Sequence, residues 1–103
     1  MAHPKIDIGH VANVWIRMMT FEKAGDMEDG HTHDFDHVTL LSKGSLKIKV
    51  NEKEIVFNAP HMIFIDKDKH HELTALEDGT IACCIHGTRD DSGDIIDPTW
   101  IPQ

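Results

Sequence analysis

The sequence predicts an all-β, antiparallel, single-domain protein of the sandwich or barrel type. First, apolar runs recur at about ten-residue intervals with polar or glycine-bearing turns between them. Second, the longest run, Val11-Ala-Asn-Val-Trp-Ile-Arg-Met-Met-Thr-Phe21, is rich in β-branched and aromatic residues and has no helix signal. Third, 103 residues support one domain and a modest core.

The elements follow in order. Val11 to Phe21 is read as the first strand, and Glu22 to Gly30 as a polar turn region with two glycines. Asp36 to Leu41 and Ser45 to Val50 flank Lys43-Gly44 and are expected to form a hairpin. Asn51 to Glu54 is a turn, Ile55 to Phe57 a short strand, and Met62 to Ile65 another, ended by the charged turn Asp66-Lys-Asp-Lys69. His71 to Leu76 and Thr80 to His86 are expected to make a last pair around Glu77-Asp-Gly79. The tail 87–103 carries two prolines and several acids and reads as irregular. Its Ile95, Ile96, Trp100 and Ile101 are candidates to pack on the barrel or on a second subunit.

Bulk properties exclude some partners. A formal charge of −8 argues against nucleic acid and against an anionic membrane surface. No apolar run approaches the roughly 20 residues that span a bilayer. Met1-Ala-His-Pro-Lys-Ile-Asp has no signal-peptide core, so a cytoplasmic location is expected. Cys83 and Cys84 are neighbours in an apolar run and would point to opposite strand faces, which predicts two reduced thiols rather than a disulfide.

The nine histidines are the outlier. His31-Thr-His33-Asp-Phe-Asp-His37 places three imidazoles within seven residues. In an extended strand, positions 31, 33, 35 and 37 share one face, which aims three neutral nitrogen donors into one space around Phe35. A fourth candidate, His71, sits in Lys69-His70-His71-Glu72. Clustered imidazole suits a borderline divalent ion: Mn, Fe, Ni, Cu or Zn. A surface histidine cluster is the plain alternative, but a purification tag would be terminal and unbroken.

Gly25-x5-His31-x-His33-x3-His37-x6-Gly44 resembles, spacing for spacing, the first sequence motif of the cupin superfamily, with His37 at the family's usual glutamate. The family's second motif, Gly-x5-Pro-x-Gly-x2-His-x3-Asn, is matched here only by Pro60-x5-Asp66-x-Asp68-x2-His71-x3-Ala75. Its spacing selects His71 over His70. The resemblance spans residues 11 to 86 and implies an antiparallel jelly-roll β-barrel, often dimeric, with a metal inside. It also implies His31, His33, His37 and His71 as ligands. The exchange of glutamate for histidine is similar to that in a minority of small bacterial cupins with an all-histidine site. Four neutral imidazoles leave a divalent ion its full charge. Two coordination positions would stay open on a six-coordinate ion, which suits Mn or Fe; Ni and Cu are possible, and Zn would suit a closed tetrahedral site.

The remaining candidates weigh less. His70 lies on the opposite face from His71 and reads as solvated; His61 is a lone histidine. His86 follows a strand near the barrel mouth and is a weak candidate for a proton donor. Arg17 either faces solvent or binds a carboxylate, because an unpaired buried charge is costly. Arg89 reads as a salt-bridging residue of the tail. Glu28, Asp29, Asp34 and Asp36 read as a solvated turn, with Asp34 or Asp36 able to orient an imidazole. Phe35, Phe64, Trp15 and the Met18-Met19 pair read as core. The chain has no tyrosine, which excludes a tyrosine base or a cysteine–tyrosine cofactor. The resemblance and the open coordination positions imply a metal-dependent oxygenase, most naturally a dioxygenase, acting on a small organic molecule. A non-redox isomerase or lyase and a non-catalytic small-molecule binder are the alternatives, and a homodimer is the expected assembly.

Overall fold

The computed structural model describes residues 2–31, 37–66 and 69–87. Their nine strands are β1 (Lys5–Val11), β2 (Val14–Phe21), β3 (Met27–His31), β4 (His37–Lys43), β5 (Ser45–Val50), β6 (Lys53–Asn58), β7 (His61–Ile65), β8 (His71–Ala75) and β9 (Thr80–Gly87). They form a five-stranded sheet, β1-β2-β9-β4-β7, and a four-stranded sheet, β3-β8-β5-β6. All pairs are antiparallel, and β2 with β9, β3 with β8, β4 with β7 and β5 with β6 are nested one inside the next. That nesting is a jelly roll: one long ribbon, folded back at the β5–β6 turn and rolled so that successive segments alternate between sheets.

Two tight hairpins bound the ribbon. Val11 pairs with Val14, and Val50 with Lys53. Each two-residue turn holds its first residue at positive φ, Ala12 at 52° and Asn51 at 56°, as the twist of the flanking strands requires.

The strand alternation points Met19, Phe21, Leu41, Leu46, Ile48, Ile63, Ile65, Leu73, Ala75 and Ala82 into one buried core between the sheets. Register stacks the inward residues in layers. Met19, Ala82 and Leu41 lie in one layer with Leu46 and Ala75 from the other sheet. Arg17, Cys84, Thr39 and Ile63 make the next, facing Glu28, Leu73 and Ile48. Trp15, His86, His37 and Ile65 make the last, across from His71 and Val50.

Five expectations are corrected. The strand read from Val11 is two strands broken at Ala12-Asn13, and the barrel begins at Lys5. Residues of β1 are all exposed, so this edge strand is held by backbone pairing, and its apolar Ile6, Ile8 and Val11 join no core. Met27 to His31 is a strand, not part of a turn, and its charged residues sit on a sheet edge. β4 and β5 are not a hairpin, and β8 and β9 do not pair with each other, because in both cases the chain crosses from one sheet to the other. Phe64 is 78% exposed and belongs to no core. The tail 88–103, with Arg89, lies outside the described residues.

Gly44 is the corner between β4 and β5, with φ +86°. A Cβ there would overlap the Thr80 hydroxyl and lie 3.0 Å from the Thr80 Cα. Thr80 has no room to retreat: it is fully buried, and its hydroxyl donates to the Glu77 carbonyl at 2.8 Å. Gly44→Ala therefore combines a disfavoured φ with a backbone collision and is expected to lower stability by about 2 kcal/mol or more. Urea unfolding checks this; a loss below about 0.5 kcal/mol would show that the corner tolerates a side chain.

Candidate functional site

His37 opens β4 in the five-stranded sheet and His71 opens β8 in the four-stranded sheet. Both side chains are buried, at 7% and 1% exposure. They meet across the barrel with ring centroids 5.7 Å apart and planes 45° from parallel. Both nitrogens of His37 are sealed from solvent. His71 Nδ1 lies 2.9 Å from the Lys69 carbonyl oxygen. A carbonyl can only accept, so Nδ1 carries the proton and the neutral ring keeps its lone pair on Nε2. Such a backbone contact fixes the tautomer and the orientation of a ligating imidazole.

The other predicted ligands are placed unevenly. His31 ends β3, and its backbone is the register partner of His71; its side chain and residues 32–36, including His33, Asp34, Phe35 and Asp36, lie outside the described residues. His31 and His37 thus belong to strands of different sheets, so their convergence comes from the rolling of the ribbon and not from one strand face. Among the described residues, no group of three His, Cys, Asp or Glu side chains stands in metal-holding geometry. The His37–His71 pair does fit an ion. With metal–nitrogen distances of about 2.0–2.1 Å, two imidazoles on one ion have ring centroids about 4.5 to 6.5 Å apart.

His70 is exposed, on the opposite face from His71, and His61 is exposed and packs against Phe57 with ring centroids 4.9 Å apart. His86 points inward, one step beyond the Val38–Ile85 pair, in the layer of His37. Its ring stacks on Trp15 at 4.6 Å, and its Nδ1 donates to the Gly87 carbonyl at 2.9 Å.

A polar layer lies directly beneath the imidazoles. Arg17 faces the interior and meets Glu28 at 3.1 Å, bridging β2 of one sheet and β3 of the other. Of the two readings of Arg17 the carboxylate-bound one holds, and the solvated reading of Glu28 is corrected. Arg17 shares strand parity with Met19 and Phe21, so an inward set recognised as Met19 and Phe21 already contains it. Cys84 lies beside them, its thiol 3.5 Å from the Thr39 hydroxyl. Burial pushes the Cys84 thiol up, against the pull of the Thr39 hydrogen bond and the Arg17 charge; burial also pushes Cys83 up. Both cysteines are free.

A cavity of about 150 Å³ opens between β5, β6 and β7, walled by Ile48, Ile55, Phe57 and Ile63. It reaches the imidazole layer through Ile65 and Val50, the register partners of His37 and His71. Asp66 and Lys69 stand at its polar end. Nothing in the local sequence marks these residues as a cavity, because three short strands from two sheets build it.

No protein-family model matches the chain, and no curated protein does. Solved structures do. KdgF from a Halomonas species superposes with a TM-score of 0.70 at 16% identity, over 84% of this chain and 80% of that one. A cupin-2 domain containing protein from Shewanella frigidimarina gives 0.68 at 21% identity, over 84% and 83%. An RmlC-like cupin from Methanocaldococcus jannaschii, described as a double-stranded β-helix, gives 0.69 at 7% identity, over 82% of each chain. The nested strand pairing agrees with these likenesses, and the chain has the double-stranded β-helix fold of the cupin superfamily.

Proposed function

We propose that this protein is a mononuclear metal-dependent enzyme, an oxygenase acting on a small organic molecule. The observation that carries the reading is the buried His37–His71 pair, set across the barrel beside an apolar cavity, with the His71 tautomer held by the Lys69 carbonyl. His31 and His33 complete the ligand set in this reading. Mn or Fe is the preferred ion, and Ni, Cu and Zn are the others that imidazole accepts. When bound, such an ion supplies Lewis acidity toward oxygen donors and, for Fe or Mn, electron exchange with dioxygen.

The chain's own residues define the rest of the chemistry. The cavity is large enough for a benzene-sized group, and its walls are aliphatic and aromatic. It therefore selects a mostly apolar substrate that presents an oxygen toward His37 and His71. Ile48, Ile63 and Ile65 exclude bulk water from that side, which strengthens the electrostatic interactions at the site. Asp66 and Lys69 bind polar substituents at the mouth. Diketones, enols and phenols match this shape.

A second reading is supported by His86. Its proton-bearing Nδ1 is tied to a carbonyl, its ring lies in the imidazole layer, and a placed acid or base is what a metal-assisted isomerase or lyase needs.

Metal analysis of untagged protein is expected to find about one ion per chain. His71→Ala and His33→Ala are expected to lose it, with affinity down at least tenfold; His70→Ala should keep it. Equal loss in His70→Ala and His71→Ala would put the ligand assignment out of register. Stripping the ion with a chelator is expected to lower the melting temperature, and readdition to restore it. Oxygen-electrode measurements against diketones, enols and phenols should show uptake with Fe- or Mn-loaded protein. No uptake with any metal sinks the oxygenase reading. Turnover under argon that falls at least tenfold in His86→Gln would establish the second one.

A further inference from the structure

β3 carries His31, yet little in its sequence holds it in place. It lies at the edge of the four-stranded sheet, with β8 as its single neighbour there. Its register partners are Met27–Thr74, Glu28–Leu73 and His31–His71. Residues 29 and 30 thus stand together against Glu72, a β-bulge that brings the His31 backbone level with His71. The apolar core draws side chains from β2, β4, β5, β7, β8 and β9, and none from β3. Met27-Glu-Asp-Gly-His31 has no apolar alternation to tell one pairing from the next, and register is weakly specified in a polar, glycine-bearing strand. Its outer edge is met by the N-terminal residues. The Met27 amide donates to the Ala2 carbonyl at 3.0 Å, and His3 Nδ1 donates to the Met27 carbonyl at 3.2 Å. The ionic contact of His3 with Asp29, at 3.7 Å, is exposed on both sides and contributes little.

We infer that the Arg17–Glu28 pair is the register key of β3: it selects the one pairing in which the His31 backbone stands level with His71, and so makes Arg17 and Glu28 positioning residues for the candidate metal site. The ligand role of His31 rests on the metal-centre reading above; the register does not. Arg17 is the fixed partner. Its strand is paired on both sides, with β1 and β9, and Met19 and Phe21 on the same face are fully buried. Glu28 is the adjustable one, and its carboxylate accepts the Arg17 Nη2 hydrogen bond at 3.1 Å. This bond joins a β3 side chain to the opposite sheet. A slip of β3 by one residue would turn Glu28 outward and leave the Arg17 guanidinium inside without it, with 24% of its side chain in water. A slip by two would carry the carboxylate about 7 Å along the barrel, beyond hydrogen-bond reach. Either leaves a half-buried charge uncompensated, which is costly. The wrong registers are thus disfavoured by the loss of one ion pair and not by exposure of apolar surface. Removing the pair lowers the fraction of chains in the correct register, and apparent affinity for an ion falls by that same fraction.

Backbone hydrogen exchange, followed by NMR on the full chain after chelator treatment, reads the register without an ion. In Arg17→Met the amides of β3 should exchange at least threefold faster than in the parent, with those of β5 and β9 unchanged. Lys47→Met is the control. It removes an ion pair of the same 3.1 Å length, Lys47–Glu54, from the outer side of the four-stranded sheet, and should leave β3 as it is. Arg17→Lys keeps the charge, can still donate to Glu28, and should stay within twofold of the parent. Competition for Zn²⁺ against a chromophoric chelator gives the second readout: Arg17→Met should bind at least threefold more weakly, and Arg17→Lys and Lys47→Met like the parent. Unchanged β3 exchange in Arg17→Met would overturn the inference, as would a rise spread evenly over all strands, which marks global destabilisation. Arg17→Lys as impaired as Arg17→Met would overturn it too, since side-chain shape and not the ion pair would then set the register. Faster β3 exchange with unchanged Zn²⁺ affinity would overturn the positioning role. A parent that takes up no Zn²⁺ would sink the metal-centre reading instead, and the exchange measurement alone would then decide the register.

Discussion

The nested antiparallel pairing of a single rolled ribbon is the constraint on which the rest of this structure depends. Because β2, β3, β4 and β5 return as β9, β8, β7 and β6, successive strands alternate between the sheets. Residues close in sequence therefore end up on opposite walls, and residues far apart share a layer. His37 and His71 face each other at 5.7 Å for this reason. The same rolling puts Arg17 against Glu28 and seats both one layer below the imidazoles. Backbone hydrogen bonding fixes the register, and a one-residue slip would turn each of these side chains to the wrong face.

The interior divides along its length. At one end Met19, Phe21, Leu41, Leu46 and Ala82 form a dry core that supplies the hydrophobic driving force. At the other end the layers become polar, with a half-buried ion pair, a thiol and histidines. Even a half-buried ion pair is a weak contributor to stability, because desolvation and side-chain ordering offset its attraction. The placement of Arg17–Glu28 between core and imidazoles fits a role in holding β2 and β3 in register beside the candidate site. The aliphatic cavity at the β6–β7 side and the ion pair at the β2–β3 side leave the imidazole layer between an apolar and a charged wall.

The outer surface carries a second asymmetry. β5, β6 and β8 alternate as half-solvated strands should, with Lys47, Lys49 and Glu72 facing outward. The outer rows of the five-stranded sheet do not. Phe64 is thus not a misplaced core residue, since its strand partner Val38 continues the same apolar row.

The sequence by itself determined the fold class and singled out candidate ligands, because both are written in local patterns: short apolar runs between turns, and histidines at a characteristic spacing. It also separated His71 from His70, through the spacing of the second motif that the resemblance supplied. It missed β1, a short exposed edge strand whose Ile6 and Ile8 join no core, and most of β3, which is largely polar, and it paired β4 with β5 because a glycine corner between sheets looks locally like a hairpin turn. The solvated reading of Glu28 failed, and the two readings of Arg17 stayed open, because their partnership joins two sheets. Only the tertiary structure decided what faces what: the His37–His71 approach, the Lys69 carbonyl that sets a tautomer, the cavity assembled from three strands, and the apolar rows on the outer face of the five-stranded sheet. Each of these is a relation between residues distant in the chain, and it is long-range register that creates them.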